Sequence, residues 1–188
     1  MTTLKQYENN RYSRILGYGA SRGEVIVHNN DIVEAINSSD EWIKQRTGIS
    51  TRHRASENQT VNDLAIAAAH DALANSHVTG EQIDVVIIST ISHPYATPSL
   101  AVLVADAIGS RCPAYDISAA CAGFCYGIAQ ADAMVRSGMA QNVLVIGVEK
   151  LSDFIDNTER SISFLLGDGA GAAVVGVSDE PGIAPTIW

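Results

Sequence analysis

The chain has 188 residues, 46% hydrophobic and 18% charged, a composition typical of one globular domain and not of a disordered or fibrous segment. A formal net charge of −9 disfavours nonspecific binding to nucleic acid or to an anionic membrane, because both are negatively charged. The longest apolar run, residues 119–135, contains Gln130 and Asp132 and is short for a bilayer span. Three cysteines and an amino terminus without a secretory pattern indicate free thiols in a reducing cytoplasm.

The first third of the chain predicts one strand followed by three helices. RILGYGA (residues 14–20) is a short apolar segment typical of a strand, and NNDIVEAI (residues 29–36) predicts a short helix. Ser38, with Glu41 three residues later, has the pattern of a capping box, so we expect a second helix that ends at Gly48. Thr60 caps a third helix, whose apolar face consists of Val61, Leu64, Ala65, Ala68 and Ala72.

Two apolar runs further along the chain predict buried strands. DVVIIST (residues 84–90) and NVLVIGV (residues 142–148) are continuous and rich in β-branched residues, as in strands covered on both faces. Helical segments separate such runs, which predicts a parallel sheet covered by helices.

The stretch DISAACAGF (residues 116–124) places a thiol among small residues. CPAYDIS (residues 112–118) predicts a strand and the segment up to about residue 135 a helix, so Cys121 falls near a strand-to-helix junction. Free backbone N–H groups and the helix dipole there favour a thiolate nucleophile, and the small neighbours leave room for a carbonyl substrate. A small buried packing residue is the alternative interpretation. Cys112 and Cys125 are weaker candidates.

A basic cluster interrupts the acidic chain at WIKQRTGISTRHR (residues 42–54). Trp42 and Arg46 are four residues apart and share one face of the predicted helix. An indole beside a guanidinium suits a nucleotide, with the base stacked and a phosphate paired. The alternative is a solvated charged face with a packed tryptophan. The cluster contains Lys44, Arg46, Arg52 and Arg54.

The glycine-rich segment LLGDGAGAAVVG (residues 165–176) only superficially resembles a phosphate-binding loop. No lysine follows its glycines, and no Gly-x-Gly-x-x-Gly pattern opens a helix. It therefore predicts close backbone packing that leads into a strand.

Three of these blocks together carry a family resemblance. DISAACAGF, SDEWIKQRT (residues 39–47) and GDGAG (residues 167–171) resemble the amino-terminal half of β-ketoacyl-acyl-carrier-protein synthase III, the condensing enzyme that begins type II fatty acid synthesis. IGVEKLSD and GAAVVG are similar to actinobacterial members.

The resemblance implies an α/β fold of the thiolase-like kind, a duplicated α-β-α-β-α sandwich that works as a homodimer. Residues 1–178 would form the amino-terminal half with the nucleophile cysteine, and residues 179–188 would begin the connection to a carboxyl-terminal half. The family's catalytic histidine and asparagine belong to that second half, and no histidine of this chain matches their motif. Gly123 and Gly127, on one face of the cysteine helix, would allow the duplicated half to approach closely.

The resemblance also implies a reaction and a set of site residues. An acyl-CoA primer would acylate Cys121, and malonyl-acyl-carrier-protein would then lose CO₂ and attack the thioester. No metal and no cofactor is expected, since acyl-CoA is a substrate. Carried over by motif, the CoA-binding residues are Ser38, Trp42, Arg46 and Arg160, and the acyl-pocket residues are Thr97, Leu151 and Leu166.

Other functions remain open at this point. A related condensing enzyme of secondary metabolism would use the same residues. An acyl-CoA thioesterase would use the same thiolate with water as acceptor, and would need a nearby histidine base. An inactive half-domain retained for binding is the non-catalytic alternative.

Overall fold

The computed structural model describes residues 11–184. Its helices are α1 (Asp40–Thr47), α2 (Val61–Ser76), α3 (Leu100–Ala107) and α4 (Gly123–Arg136). Its strands are β1 (Tyr12–Arg22), β2 (Val25–His28), β3 (Thr51–Arg54), β4 (Val85–Ser89), β5 (Ala114–Ile117), β6 (Asn142–Lys150) and β7 (Asp168–Ser178). The predicted connection over residues 179–188 lies partly outside the described residues, and the division at residue 178 stays a prediction.

Five strands form one mixed sheet in the order β1-β7-β6-β4-β5, and β2 pairs with β3 in a separate hairpin. β4 lies parallel to β5 and to β6, whereas β7 is antiparallel to both β6 and β1. The prediction of a parallel sheet is therefore confirmed for β4, β5 and β6, and it is wrong for β1 and β7. A strand buried on both faces has the same apolar pattern in either direction, and no helical crossover joins β6 to β7.

Helices cover both faces of the sheet, as predicted. On one face, α2 and α3 pack against alternate strand residues such as Val86 and Ile146. On the other face, α4 packs through Ala131 and Val135 against Ile87 and its neighbours. The predicted apolar face of α2 is buried, and Thr60 and Asp63 form the capping box at its start. No helix within residues 11–184 has the length and apolar character needed to cross a bilayer.

The segment before α1 differs from the prediction. In place of a short helix, a 3₁₀ turn at Asn29–Asp31 leads into further turns. The Asp31 carboxylate accepts a hydrogen bond of 2.7 Å from the His28 backbone N–H, and Asn37, at φ 48°, ends the helical turns. The backbone hydrogen bonds of the run alternate between a spacing of four residues, as from Val33 N–H to Asn29, and of three, as from Asn37 N–H to Glu34, so the turns do not join into a continuous α-helix.

The residue that caps α1 is Ser39, so the prediction of Ser38 as the cap is wrong. Ser39 has an extended backbone, and its hydroxyl accepts a hydrogen bond of 3.1 Å from the Trp42 N–H. The helix begins one residue later than predicted, at Asp40. The Ser38 hydroxyl is buried and has no hydrogen-bond partner among residues 11–184. Gly48, in the left-handed conformation, ends the helix as predicted.

Candidate active site

The candidate site lies at the carboxyl edge of the three parallel strands. Ser89 of β4 pairs with Ile117 of β5 and Gly147 of β6, so the segments that follow these strands leave the sheet at the same edge. Such an edge is where open α/β sheets usually bind ligands. The predicted residues Thr97, Cys121 and Leu151 each follow one of these strands, and Leu166 precedes β7 at the same edge.

Cys121 lies in a 3₁₀ turn at Ala120–Ala122 that continues directly into α4. Ala120 has a left-handed backbone (φ 45°), which costs an alanine about 1–2 kcal/mol and makes the turn sharp. No side chain caps the amino end of α4, and the Cys121 side chain is exposed in the described chain. The predicted position at a helix amino end is confirmed.

Gly123 and Gly127 face the chain's own sheet, which corrects the expectation that they approach a duplicated half. A Cβ added at Gly123 would overlap the Ser89 side chain, and one at Gly127 would lie 2.7 Å from Val145 Cγ1. The two glycines therefore bring α4 close to β4 and β6. The face of α4 that points away from the sheet carries Tyr126, whereas the Phe124 ring lies against Gly147 of β6.

The loop of residues 90–99, which carries Thr97, is held at its start by a carboxylate. Glu149, near the end of β6, accepts hydrogen bonds from the Ile91 N–H at 3.0 Å and the Ser92 hydroxyl at 2.5 Å. Within the loop, His93 Nε2 lies 3.2 Å from the Pro98 carbonyl oxygen. Thr97 is exposed, whereas Leu151 and Leu166 are half-buried.

The predicted CoA-binding residues Trp42, Arg46 and Arg160 come together around one indole ring. The guanidinium carbons of Arg46 and Arg160 lie 4.2 Å and 5.0 Å from the Trp42 ring centroid. Phe164 contacts the same ring edge-on, with centroids 5.4 Å apart. An aromatic surface with two cations is thereby formed by segments more than a hundred residues apart in sequence.

The other basic residues of the 42–54 cluster have structural partners. Lys44 forms an ion pair of 2.8 Å with Asp40 on the same helix. Hydrogen bonds from Lys44 and Asn29 lower the pKa of the Asp40 carboxyl. Arg52 is buried, and desolvation, together with the neighbouring Arg54 charge, lowers its pKa. The solvated face describes Lys44, which is exposed, but not the buried Arg52, and only Arg46 of the four lies on the indole.

Three residues that the sequence interpretation missed shape this edge. Phe164 supports the indole, and Glu149 holds the loop after β4. The buried Asp168 carboxylate accepts hydrogen bonds from the Ala55 N–H at 2.7 Å and the Ser152 hydroxyl at 2.6 Å. Glu149 lies near the last residue of the apolar strand β6, and Asp168 is the first residue of β7. A carboxylate at the end of an apolar strand is the sequence pattern that could have indicated both residues.

This chain has a five-stranded mixed sheet between helices and an exposed cysteine at a helix start. Its fold is thiolase-like, as in the two solved structures that follow. The priming β-ketosynthase from the R1128 polyketide biosynthetic pathway superposes with a TM-score of 0.92 at 43% identity, over 98% of this chain and 55% of that one. The 3-oxoacyl-[acyl-carrier-protein] synthase III of Aquifex aeolicus gives a TM-score of 0.86 at 41% identity, over 89% of this chain and 55% of that one.

Sequence comparison finds relatives with the same description. The family described as 3-oxoacyl-[acyl-carrier-protein (ACP)] synthase III matches residues 115–188. β-Ketoacyl-[acyl-carrier-protein] synthase III of Kocuria rhizophila is 62% identical over 100% of this chain and 53% of its own length. A synthase III of Streptomyces avermitilis is 50% identical over the same shares. The chain is similar to β-ketoacyl-acyl-carrier-protein synthases III, as its motifs predicted, and it spans about half the length of the curated relatives it matches.

Proposed function

We propose that this chain supplies the acyl-accepting half of a condensing enzyme that begins type II fatty acid synthesis. The observation that carries the proposal is the exposed Cys121 at the uncapped amino end of α4, at the same sheet edge as the predicted acyl-pocket residues. The proposed partners are acyl-CoA, malonyl-acyl-carrier-protein and a second copy of the protein. The proposed setting is the cytoplasm, and acyl-CoA serves as substrate without a separate cofactor or metal.

The first half-reaction is acyl transfer to Cys121. The thiolate attacks the thioester carbonyl carbon of acyl-CoA, the bond from that carbon to the CoA sulfur breaks, and CoA leaves as the free thiol after protonation. The positive end of α4 faces the thiolate, and backbone N–H groups at a helix start are suited to the oxyanion that forms. Residues of this chain can thus hold the acyl group.

The second half-reaction is condensation. The malonyl group loses CO₂, its carbanion attacks the acyl carbon on Cys121, and the cysteine leaves as thiolate while the β-ketoacyl group remains on the carrier protein. We propose that the histidine and asparagine that promote decarboxylation in the family belong to the part of the fold beyond this half. Separate acylation and condensation steps predict ping-pong kinetics.

The indole of Trp42 is the proposed stacking surface for the CoA adenine. A base stacked between the indole and a guanidinium needs about 7 Å between them, because each stacked contact takes about 3.5 Å. Arg160 lies 5.0 Å from the ring centroid, so it must move outward to admit a base on its side. Arg46 is proposed to pair with a CoA phosphate, and Ser38, whose buried hydroxyl lies just before α1, to contact the same ligand after its side chain turns outward.

A related condensing enzyme of secondary metabolism is the second candidate. The structural neighbour named as a priming β-ketosynthase of polyketide biosynthesis, with a TM-score of 0.92, favours it. The carrier protein distinguishes the two functions. Condensation that proceeds with a fatty acid carrier protein, and that exceeds the rate with a polyketide carrier protein, supports the fatty acid assignment, and the reverse order supports the second candidate.

The experiment that tests the proposal follows the acyl group. The full-length protein is incubated with acyl-CoA, and intact mass and peptide mapping locate the adduct. A stable acyl group on Cys121, absent in Cys121→Ala and transferred to a ketoacyl product with malonyl-acyl-carrier-protein, is the expected result. CoA release without an adduct would identify a thioesterase instead, and the absence of both release and adduct would identify an inactive half-domain.

A further inference from the structure

Two arginines extend from the same side of the short strand β3. Arg52 and Arg54 are two residues apart, so their side chains point to one face of the hairpin. Both reach the segment between β6 and β7, which carries Arg160 and Phe164. Arg160 and Phe164 both contact the Trp42 indole. The arginine pair is therefore connected to the proposed nucleotide site without belonging to it.

Arg52 links Phe164 to the start of α1. Its Nε donates to the Phe164 carbonyl oxygen at 3.1 Å, and its Nη2 donates to Asn29 Oδ1 at 2.5 Å. Asn29 in turn donates to Asp40 Oδ1 at 2.8 Å and to the Ile49 carbonyl oxygen at 2.8 Å, at opposite ends of α1. The helix that presents the indole and the ring that supports it thus share one buried guanidinium.

Arg54 closes the loop around Arg160. Its Nη1 donates to Asn157 Oδ1 at 2.7 Å, and its Nη2 donates to the Ser163 carbonyl oxygen at 3.2 Å. These acceptors lie three residues before and three residues after Arg160. One guanidinium therefore joins both ends of a seven-residue loop whose centre is the cation on the indole.

The close placement of Arg52 and Arg54 is electrostatically unfavourable, and the fold does not need two charged side chains there. Two neighbouring guanidiniums repel each other, and Arg52 is only 6% exposed. Arg54 Nε is buried and has no hydrogen-bond partner among residues 11–184. Apolar side chains could fill such a place without this repulsion or loss of hydration.

We propose that Arg54 is a positioning residue for acyl-CoA binding, which it favours by holding the Asn157–Ser163 loop beside Trp42, so that only the Arg160 side chain turns outward when the base stacks on the indole. Arg52 holds the opposite side of the same surface. The proposal rests on the proposed function, since it assumes that CoA binds at this indole. A loop that is ordered before the ligand arrives spares the ligand the entropy of ordering it, so affinity rises without a new ligand contact.

The test compares Arg54→Gln, Asn157→Ala and the double variant in the full-length protein. Asn157 is exposed, so its variant removes the same contact with little risk to folding. We expect each single variant to bind CoA about tenfold more weakly by calorimetry, and the double variant to be no weaker than the weaker single one. The kcat/KM for acyl-CoA should fall by the same factor, while kcat/KM for malonyl-acyl-carrier-protein stays within about twofold.

Two controls separate positioning from charge and from stability. Arg14→Gln, on the exposed side of β1, makes the same charge change and should bind CoA as the unmodified protein does. The salt dependence of CoA binding should keep its slope in Arg54→Gln, because Arg54 does not touch the phosphates. Equal affinity in all variants, additive losses in the double variant, or equal losses of both kcat/KM values would overturn the positioning role. Failure of the unmodified protein to bind CoA would overturn the proposed function instead.

Discussion

The Asp116 carboxylate accepts a hydrogen bond of 2.7 Å from the backbone N–H of Leu100, the first residue of α3. Its other oxygen accepts from the next N–H, that of Ala101, at 2.8 Å. Ser99, the residue in the capping position, makes no such bond with its side chain. Asp116 therefore caps α3 from β5, five residues before Cys121, and joins the loop that carries Thr97 to the strand that leads to the thiol.

Replacement of this cap should destabilise the protein without affecting the nucleotide site. Asp116→Ala leaves two helix N–H groups without an acceptor and removes a negative charge from the positive end of α3, so we expect a loss of about 1–3 kcal/mol. Asp106→Ala, at the exposed carboxyl end of the same helix, should be neutral or slightly stabilising. Thermal unfolding of both variants measures the difference, and an equal effect would show that Asp116 is not acting as a cap.

Cys121 should react first among the three cysteines. It lies in the turn before α4 at the uncapped helix end, whereas Cys112 is half-buried. Cys125 is also exposed and lies within the first turn of α4, so it is the stronger competitor of the two. With limiting iodoacetamide on the full-length protein, peptide mapping should find most of the label on Cys121, and acyl-CoA added beforehand should protect it. Label concentrated on Cys112 or Cys125 would contradict the assignment of the nucleophile.

Removal of the Arg46 guanidinium should weaken CoA binding. Arg46→Ala is expected to cost about 1.5–3 kcal/mol, the range for a hydrogen bond to a charged group, and to leave the fold intact. Lys44→Ala removes a cation from the same helix, but that cation is paired with Asp40, so the affinity should change little. Calorimetric titration with CoA at two salt concentrations provides the measurement, and the Arg46 variant should also show a smaller salt dependence. If the two variants bind CoA with equal affinity, Arg46 is part of a solvated charged face and not of the CoA site.

Local patterns were sufficient to predict the elements that carry the site. The apolar runs of β4 and β6, the capped helix α2 and the glycine that ends α1 each have a signal within a few residues. The sequence pattern changes from that of a strand to that of a helix around Cys121, and this change predicted its position at the start of a helix. The Trp42 and Arg46 pair followed from helical spacing, and the structure places them in contact.

What could not be predicted depends on partners distant in sequence. Arg52 and Arg54 look like a charged surface until Phe164 and Asn157, more than a hundred residues later, are placed against them. The direction of β7 depends on the connection that precedes it, since its apolar pattern suits either direction. The partners of Gly123 and Gly127 depend in the same way on which face of α4 meets the sheet.

The side chain at position 97 should control the choice of primer. The family resemblance implies that the loop carrying Thr97 crosses the dimer and lines the acyl pocket of the second copy, at a position where some relatives carry phenylalanine. A smaller side chain there leaves room for primers longer or more branched than acetyl. Thr97→Phe should lower kcat/KM for a branched acyl-CoA about tenfold or more and leave acetyl-CoA within about threefold. A primer panel measures this, and strict acetyl-CoA preference of the unmodified protein would contradict the assignment.

The outward face of α4 predicts how residues 1–188 behave when expressed alone. Tyr126 is 41% exposed, and Tyr126, Ala129 and Ala133 line an open depression of about 370 Å³. Each large side chain left uncovered forgoes about 1.5–3 kcal/mol, against a typical domain stability of about 5–15 kcal/mol. The isolated chain should therefore aggregate or pair through this face, and should not complete condensation even if Cys121 is acylated. Ala133→Glu should reduce the association seen by sedimentation, whereas Ala74→Glu, at an exposed position of α2, should not. A monomeric chain that forms the ketoacyl product unaided would contradict the assignment of the decarboxylation residues to the second half of the fold.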